Sequence, residues 1–455
     1  MIEFNEIEWR APIEAFAAFS RLPHAHLLHA GDQSQSDWST IVAFPTAIVE
    51  GTGEPAEFLE EIDRIVASRA MEPNSSIDAP FQSGLVGFVG YEALNRNASA
   101  DVGAAYNLPA SPHPVAPAVF GVYDGAIVFS RSQQRGFIVA HNTHVAARLH
   151  EQLMQSPDPA SQIGDVRLSA NFSKKEYKTA IEATIERIRD GAFYQANLSQ
   201  CLTARFGNPQ SCVDIFRRLA AISDAEFGAI LQYDDASIIS NAPERFFRVD
   251  TENAARRIVV EPIKGTRGRD VDPVVDAQHA AALLCDEKDR AENTMIADLM
   301  RNDLSKICCD DSICEDAICE LLTLSRVHHL VSRISGVISD GVAVSDIFRA
   351  LFPSGSITGA PKLAAMRQIA NVERVGRGPY CGALGYIDDR GDMDFSVAIR
   401  TMTLRDGGRE MSIPVGGGIT LRSSPEEEYQ ETLVKARAAL DALGVDRDGL
   451  EALRS

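Results

Sequence analysis

Lys264 stands in the run Glu261-Pro262-Ile263-Lys264-Gly265-Thr266, just after the apolar stretch Ile258-Val259-Val260. The β-branched stretch reads as a buried strand that Pro262 ends, and Gly265 permits a sharp turn. A lysine at such a strand end loses part of its hydration. Desolvation disfavours the ammonium, so neutral amine becomes available as a nucleophile or base. The competing reading is a lysine whose stem lies along a sheet edge with its head in water.

Two pairs of carboxylates add a second chemistry. Asp289 and Glu292 stand three apart in a segment with helical character, and Glu428 and Glu431 stand three apart near the C-terminus. A spacing of three puts both members on one helix face, with Lys435 a turn beyond Glu431. Acidic pairs are common on solvated helices. Two helices each offering two carboxylates would instead form a half-filled oxygen sphere for Mg²⁺, completed by water and an anionic substrate group.

Glycine-rich segments supply places for an anion. Phe352-Pro353-Ser354-Gly355-Ser356-Ile357-Thr358-Gly359-Ala360-Pro361-Lys362 combines hydroxyls and free backbone N–H groups ahead of a helix. It is a plausible cradle but no Walker loop, because no Ser or Thr follows Lys362. Val415-Gly416-Gly417-Gly418-Ile419 lets backbone approach a ligand. Arg400 ends the strand-like run Ser396-Val397-Ala398-Ile399-Arg400, where it could grip a carboxylate or form an ordinary surface ion pair.

The elements that must position these groups are legible in part. Ser173 and Glu176 form a capping box, Tyr177, Ile181, Ile185 and Ile188 share a face, and Gly191 closes that helix. Further helices are expected over 286–300 and 426–443. Leu85–Tyr91 and Val119–Tyr123 read as strands, and Ser156–Ser161 as a linker, so a region over 1–165 precedes one over 166–455.

Composition bounds the rest. The 455 residues are 45% hydrophobic and carry a formal net charge of -20, which argues against nucleic acid or an anionic membrane as main partner. No signal peptide and no membrane-spanning run is visible, so a cytoplasmic setting is expected. The eight cysteines form no CxxC pair and read as free thiols; the cluster Cys308, Cys309, Cys314 and Cys319 near His328 and His329 fits no standard zinc module.

In order along the chain, these pieces resemble the chorismate-utilising family from about Phe172 to the C-terminus. The resemblance is carried by Tyr194-Gln195-Ala196-Asn197-Leu198, Ala242-Pro243-Glu244-Arg245-Phe246 and Pro262-Ile263-Lys264-Gly265-Thr266. It continues through Asp289-Arg290-Ala291-Glu292-Asn293, Asp298-Leu299-Met300-Arg301-Asn302-Asp303, Val327-His328-His329-Leu330 and the Gly355–Lys362 segment. It ends with the triple glycine and Glu428-Tyr429-Gln430-Glu431-Thr432. The resemblance implies an α+β sandwich of two large, mainly antiparallel sheets with helices outside, to which the first 165 residues contribute strands.

Within that family, lysine at 264 together with Gln195 in place of a lysine base resembles the branch that forms 4-amino-4-deoxychorismate, a precursor of 4-aminobenzoate and folate. The resemblance implies that Lys264 attacks chorismate, that Glu244 protonates the leaving hydroxyl, and that Mg²⁺ sits on Asp289, Glu292, Glu428 and Glu431. It implies that His329 and Thr358 face the reacting ring, and that Tyr380, Arg400, Gly416, Lys435, Ser356 and Gln195 contact substrate. The chain shows no glutaminase signature, so ammonia is expected from a separate glutaminase subunit, with a separate lyase acting downstream. Leu27-Leu28-His29-Ala30-Gly31 departs from the pattern by which anthranilate synthases sense tryptophan. The rivals are anthranilate, isochorismate or salicylate formation on the same fold, and a catalytically silent regulatory subunit.

Overall fold

The capping box at Ser173 forms: the Glu176 amide donates to Ser173 Oγ (3.3 Å), and the Ser173 amide donates to Glu176 Oε2 (2.9 Å). Such reciprocal capping satisfies two otherwise orphaned donors. It opens the Lys174–Arg189 helix, whose Tyr177, Ile181, Ile185 and Ile188 are buried. The computed structural model describes residues 3–31, 36–71, 78–94, 109, 111–157, 159–223, 225–252, 255–324 and 326–445. Asp158, within the expected linker, lies outside them, and the rest of that segment carries no regular structure.

Among the described residues the strands form one sheet of twelve and one of ten, and every pairing is antiparallel. Strands from both sides of residue 165 share each sheet: His26–His29 pairs with Phe227–Gln232, and Gly84–Val89 with Ala383–Asp388. Phe88, Val86 and Leu384 of one sheet meet Val128, Leu231 and Ile238 of the other in a core between them. Apolar stripes of the helices cover the outer faces, with Ile181, Leu219 and Leu433 on one and Ile62, Ile296 and Phe348 on the other. Burying sheet faces against each other and under helices is what makes this layered α+β sandwich stable. No helix among the described residues is long and apolar enough to cross a membrane.

Two local expectations need correction. The strand expected before Pro262 forms as Ala255–Val260, but Lys264 is not in the turn after it: it lies in a second short strand, Ile263–Gly268, which pairs with Val327–Val337 just as Ala255–Val260 does. Pro262, which donates no backbone hydrogen bond, separates the two segments. Arg400 is not in a strand either. The strand stops at Val397, and Arg400 sits in a bend at φ 51°, because the chain must turn there to reach Thr401–Arg405.

Candidate active site

Ser356 is the meeting point. It lies in the 3₁₀ turn Gly355–Ile357, and its carbonyl accepts a hydrogen bond from Lys264 Nζ at 3.0 Å. Burial pushes the Lys264 amine below its ordinary range, opposed by Glu244, Glu292 and Glu431. Glu244, 4% exposed, follows the Ala236–Ala242 strand. Burial pushes its carboxyl up to about 7 against the pull of Lys264, the Ser356 hydroxyl and the Ile263 amide. Its Oε1 is buried with no hydrogen-bond partner among the described residues. A carboxyl near 7 beside a desolvated amine is a matched acid and nucleophile.

Gly265 makes this geometry possible. It sits at φ +79°, where L side chains are strained, and a Cβ there would lie 2.9 Å from Asp289 Cγ. The strand therefore bulges between Lys264 and Thr266 beside the carboxylate helix. Thr266 Oγ1 is 2.8 Å from His329 Nδ1. Burial, with the Arg400 charge nearby, pushes the His329 imidazole down to about 4, so this ring is neutral near neutral pH.

The four acidic residues come from the helices Glu287–Leu304 and Pro425–Ala442. Burial raises the carboxyls of Asp289, Glu292 and Glu428, the cost of crowding like charges away from water. Glu431 is lowered: burial acts against this, and Lys435 at 2.7 Å overcomes it. Lys288 stands between the helices, 4.0 Å from Glu292 and 3.9 Å from Glu428. Asp289 Oδ2 and Glu292 Oε1 are buried and accept no hydrogen bond among the described residues. Among those residues no three His, Cys, Asp or Glu side chains already converge as a ligand cluster. The contacts of those two oxygens are ion pairs, Asp289 Oδ2 with Arg267 at 3.3 Å and Glu292 Oε1 with Lys288 at 4.0 Å. Crowded carboxylates of raised pKa fit a hard cation that takes its remaining ligands from water and substrate, as Mg²⁺ does.

The other sequence-predicted residues divide. Gln195 is fully buried, and neither polar atom of its side chain has a hydrogen-bond partner among the described residues. A Cβ at Gly418 would lie 2.4 Å from its Nε2, so glycine there makes room for the amide. The Gly416 carbonyl accepts from Lys435 Nζ at 2.9 Å. Arg400 is exposed and has no ion pair or hydrogen bond to its guanidinium among the described residues, while partial loss of hydration against the surrounding walls lowers its pKa. Thr358 donates its hydroxyl to the Ser354 carbonyl at 2.9 Å, which occupies its proton. Tyr380, 4% exposed, has Cys381, Arg377 and Glu373 as its electrostatic neighbours rather than Lys264 or Glu244.

Two side chains that sequence reasoning missed hold the pocket together. Asn293 Nδ2 donates to the Leu330 carbonyl (3.1 Å) and the Pro262 carbonyl (3.4 Å), tying the carboxylate helix to the lysine strand. Arg377 donates to Glu373, to the Ile357 carbonyl (3.0 Å) and to the Asn197 carbonyl (2.6 Å), which pins the turn that carries Ser356. Asn293 was visible inside a quoted motif. The Glu373–Arg377 spacing of four was the only trace of the second. Arg377→Met strands a buried carboxylate, so it is expected to cost about 3–5 kcal/mol. The check is a urea midpoint lowered at constant m value; an unchanged midpoint would contradict it.

A family profile described as chorismate binding enzyme matches residues 24–441. The chain is 33% identical over 449 residues to aminodeoxychorismate synthase component 1 of Escherichia coli (strain K12), spanning 94% of this chain and 95% of that protein. It is 35% identical over 283 residues to anthranilate synthase component 1 of Aquifex aeolicus (strain VF5), spanning 62% of this chain and 56% of that one. Among solved structures, anthranilate synthase component I from Streptococcus pneumoniae TIGR4 superposes with a TM-score of 0.75 at 26% identity, over 89% of this chain and 92% of the other.

Proposed function

The chain belongs to the family of chorismate binding enzymes, and from that premise we propose that it joins chorismate and ammonia to give 4-amino-4-deoxychorismate and water. The observation that carries this reading is the pairing of a desolvated Lys264 with a Glu244 poised near 7, both held to Ser356. It is supported by similarity along nearly the whole chain to a protein named aminodeoxychorismate synthase component 1.

The neutral Lys264 amine attacks ring carbon 2, both ring double bonds shift one bond along the ring away from it, and the bond to the 4-hydroxyl breaks. Glu244 delivers its proton to that oxygen, which leaves as water. Ammonia then adds at carbon 4, both ring double bonds shift back and the Lys264 amine departs. The surplus proton on the incoming nitrogen returns the pair to its starting state. His329, neutral, borders the ring without adding charge. The free Arg400 guanidinium and Lys435 bind substrate carboxylates, with Gly416 offering backbone, Tyr380 and Thr358 shaping the wall, and Gln195 hydrogen-bonding inside the pocket.

Asp289, Glu292, Glu428 and Glu431 would hold Mg²⁺, which supplies positive charge to bind and orient the ring carboxylate. Glu292→Gln is accordingly expected to raise the Mg²⁺ concentration needed for half-maximal activity by at least about tenfold. A titration of Mg²⁺ into chelator-treated protein measures this, and an unchanged requirement would count against the ligand set. The relative's designation as component 1 supports a second component, for which we assign a glutaminase that delivers ammonia, in the cytoplasm, ahead of a separate lyase.

Product analysis tests the reading. Chorismate, Mg²⁺ and ammonium are expected to give a product that an added lyase converts to 4-aminobenzoate. Anthranilate, isochorismate or salicylate as the product would keep the family and overturn this function. No turnover by folded protein, even with a glutaminase, would favour a regulatory subunit.

A further inference from the structure

Glu244 and Lys264 both border irregularities in the backbone ladder: the Glu244 carbonyl accepts from the Val397 amide at 3.0 Å, and Lys264 is the last residue in register, opposite Leu330, before a bulge. Glu244 lies outside a strand, and the register of the Arg245–Glu252 strand slips between Arg245 and Phe247. The register around Lys264 slips before Thr266. A register slip interrupts the ladder next to each residue, so a side-chain tie there adds restraint that the interrupted ladder does not supply.

Arg245 supplies a link between them. Its Nε donates to Asp394 Oδ1 at 2.9 Å and its Nη2 to Asp394 Oδ2 at 3.2 Å, a forked contact. Its Nη1 donates to Glu261, whose other oxygen accepts from Arg333 Nε at 2.8 Å. The side chains of Arg245, Glu261 and Asp394 are only 10%, 13% and 17% exposed. Arg245 directly follows Glu244, and Glu261 precedes Lys264 by three residues. Between them the Pro262 carbonyl is held by the Ser332 amide at 3.1 Å, so movement at Glu261 is passed along a short, constrained segment. Two cations and two anions balance in the network. Arg245 is not among the charges that move Glu244, which leaves geometry as its route of action.

We propose that Arg245 is a positioning residue, whose guanidinium ties the segment bearing Glu244 to the segment bearing Lys264 and so fixes the distance across which proton and amine act. This rests on the assignment of that pair as acid and nucleophile. The fork requires a planar guanidinium, which lysine cannot reproduce.

The experiment measures kcat and KM for chorismate, with Mg²⁺ and saturating ammonium, for Arg245→Met, Arg245→Lys and Glu261→Gln. Arg69→Met is the control, since Arg69 makes an equally buried pair with Asp389 at 2.9 Å in a network that contains no residue of the site. Arg245→Met is expected to lose kcat on the order of 100-fold, the penalty of misplacing reacting groups by about 1 Å, with KM changed less than about threefold. Arg245→Lys should recover part of it. Arg69→Met should lower thermal stability as much yet keep kcat within about twofold.

A kcat for Arg245→Met within about threefold of wild type overturns the proposal, as does an equal loss in Arg69→Met. Should Arg245→Met not fold, Glu261→Gln decides: a kcat loss of about tenfold or more at constant KM supports the link, and an unchanged kcat refutes it. Lys264→Ala and Glu244→Gln run alongside. If both keep activity, the acid–nucleophile reading fails and takes this inference with it; if both lose it while Arg245→Met does not, this inference fails alone.

Discussion

Lys264→Ala is expected to lower 4-amino-4-deoxychorismate formation by about 10⁴-fold, because it removes the group that forms the covalent bond and leaves the remaining machinery nothing to act on. Lys264→Arg is expected to be no better. A guanidinium keeps its proton at any accessible pH, so it offers no lone pair for attack on carbon 2. Burial acts on the native amine in the opposite direction, pushing it towards the neutral form that attacks. The rate is read at saturating chorismate and ammonium with the coupled lyase assay. Folding is checked by thermal melting, since the pocket loses only a partly buried side chain. An alanine variant that retains more than about a tenth of wild-type activity contradicts a nucleophilic lysine.

Glu244→Gln is expected to cost about 10²–10⁴-fold in kcat, the range for loss of a positioned general acid. Glutamine keeps the shape and cannot give up a proton to the departing hydroxyl. The pH profile carries the sign. The productive pair holds one proton, on Glu244. As pH falls, Lys264 gains a proton and attack stops; as pH rises, Glu244 is stripped and departure stops. Wild-type kcat is therefore expected to be bell-shaped, with one limb near the Glu244 value of about 7. Because the two groups shift each other, both limbs belong to the pair rather than to either residue. Glu244→Gln should lose one limb. A variant within about tenfold of wild type that keeps the whole bell would remove Glu244 from the proton path.

What the sequence showed was governed by distance along the chain. The pairs Asp289/Glu292 and Glu428/Glu431 were legible because three-residue spacing and helix geometry place them together, whatever the rest of the fold does. Nothing local, however, says that Lys288 stands between the two helices, since that depends on how they pack. The Ser173–Glu176 box was legible for the same local reason. Arg400 was misread as a strand residue because β-branched neighbours extend past the true strand end; the bend at φ 51° answers to the tertiary turn, not to propensity.

The residues that hold the pocket rigid were the least visible. Arg377 reaches Asn197 across 180 positions of sequence, and Arg245 reaches Asp394 across 149. Such contacts have no sequence period, so only the fold reveals them. The sheet order was similarly hidden: a strand such as Phe227–Gln232 is recognisable by itself, while its neighbour His26–His29 lies two hundred residues earlier. Thr358 shows the converse limit. The family resemblance places it facing the ring, and only the fold reveals that its hydroxyl proton is committed to the Ser354 carbonyl.

The most direct test of the account withholds ammonia. Wild-type protein is incubated with chorismate and Mg²⁺, quenched in acid, and measured by intact-protein mass spectrometry followed by peptide mapping. The lysine-adduct mechanism predicts a mass increase of one chorismate less one water, located on Lys264, absent from Lys264→Ala, reduced in Glu244→Gln and discharged by added ammonium. Unmodified protein that nevertheless makes 4-amino-4-deoxychorismate at once when ammonium is added would show direct amination, and would contradict a covalent lysine.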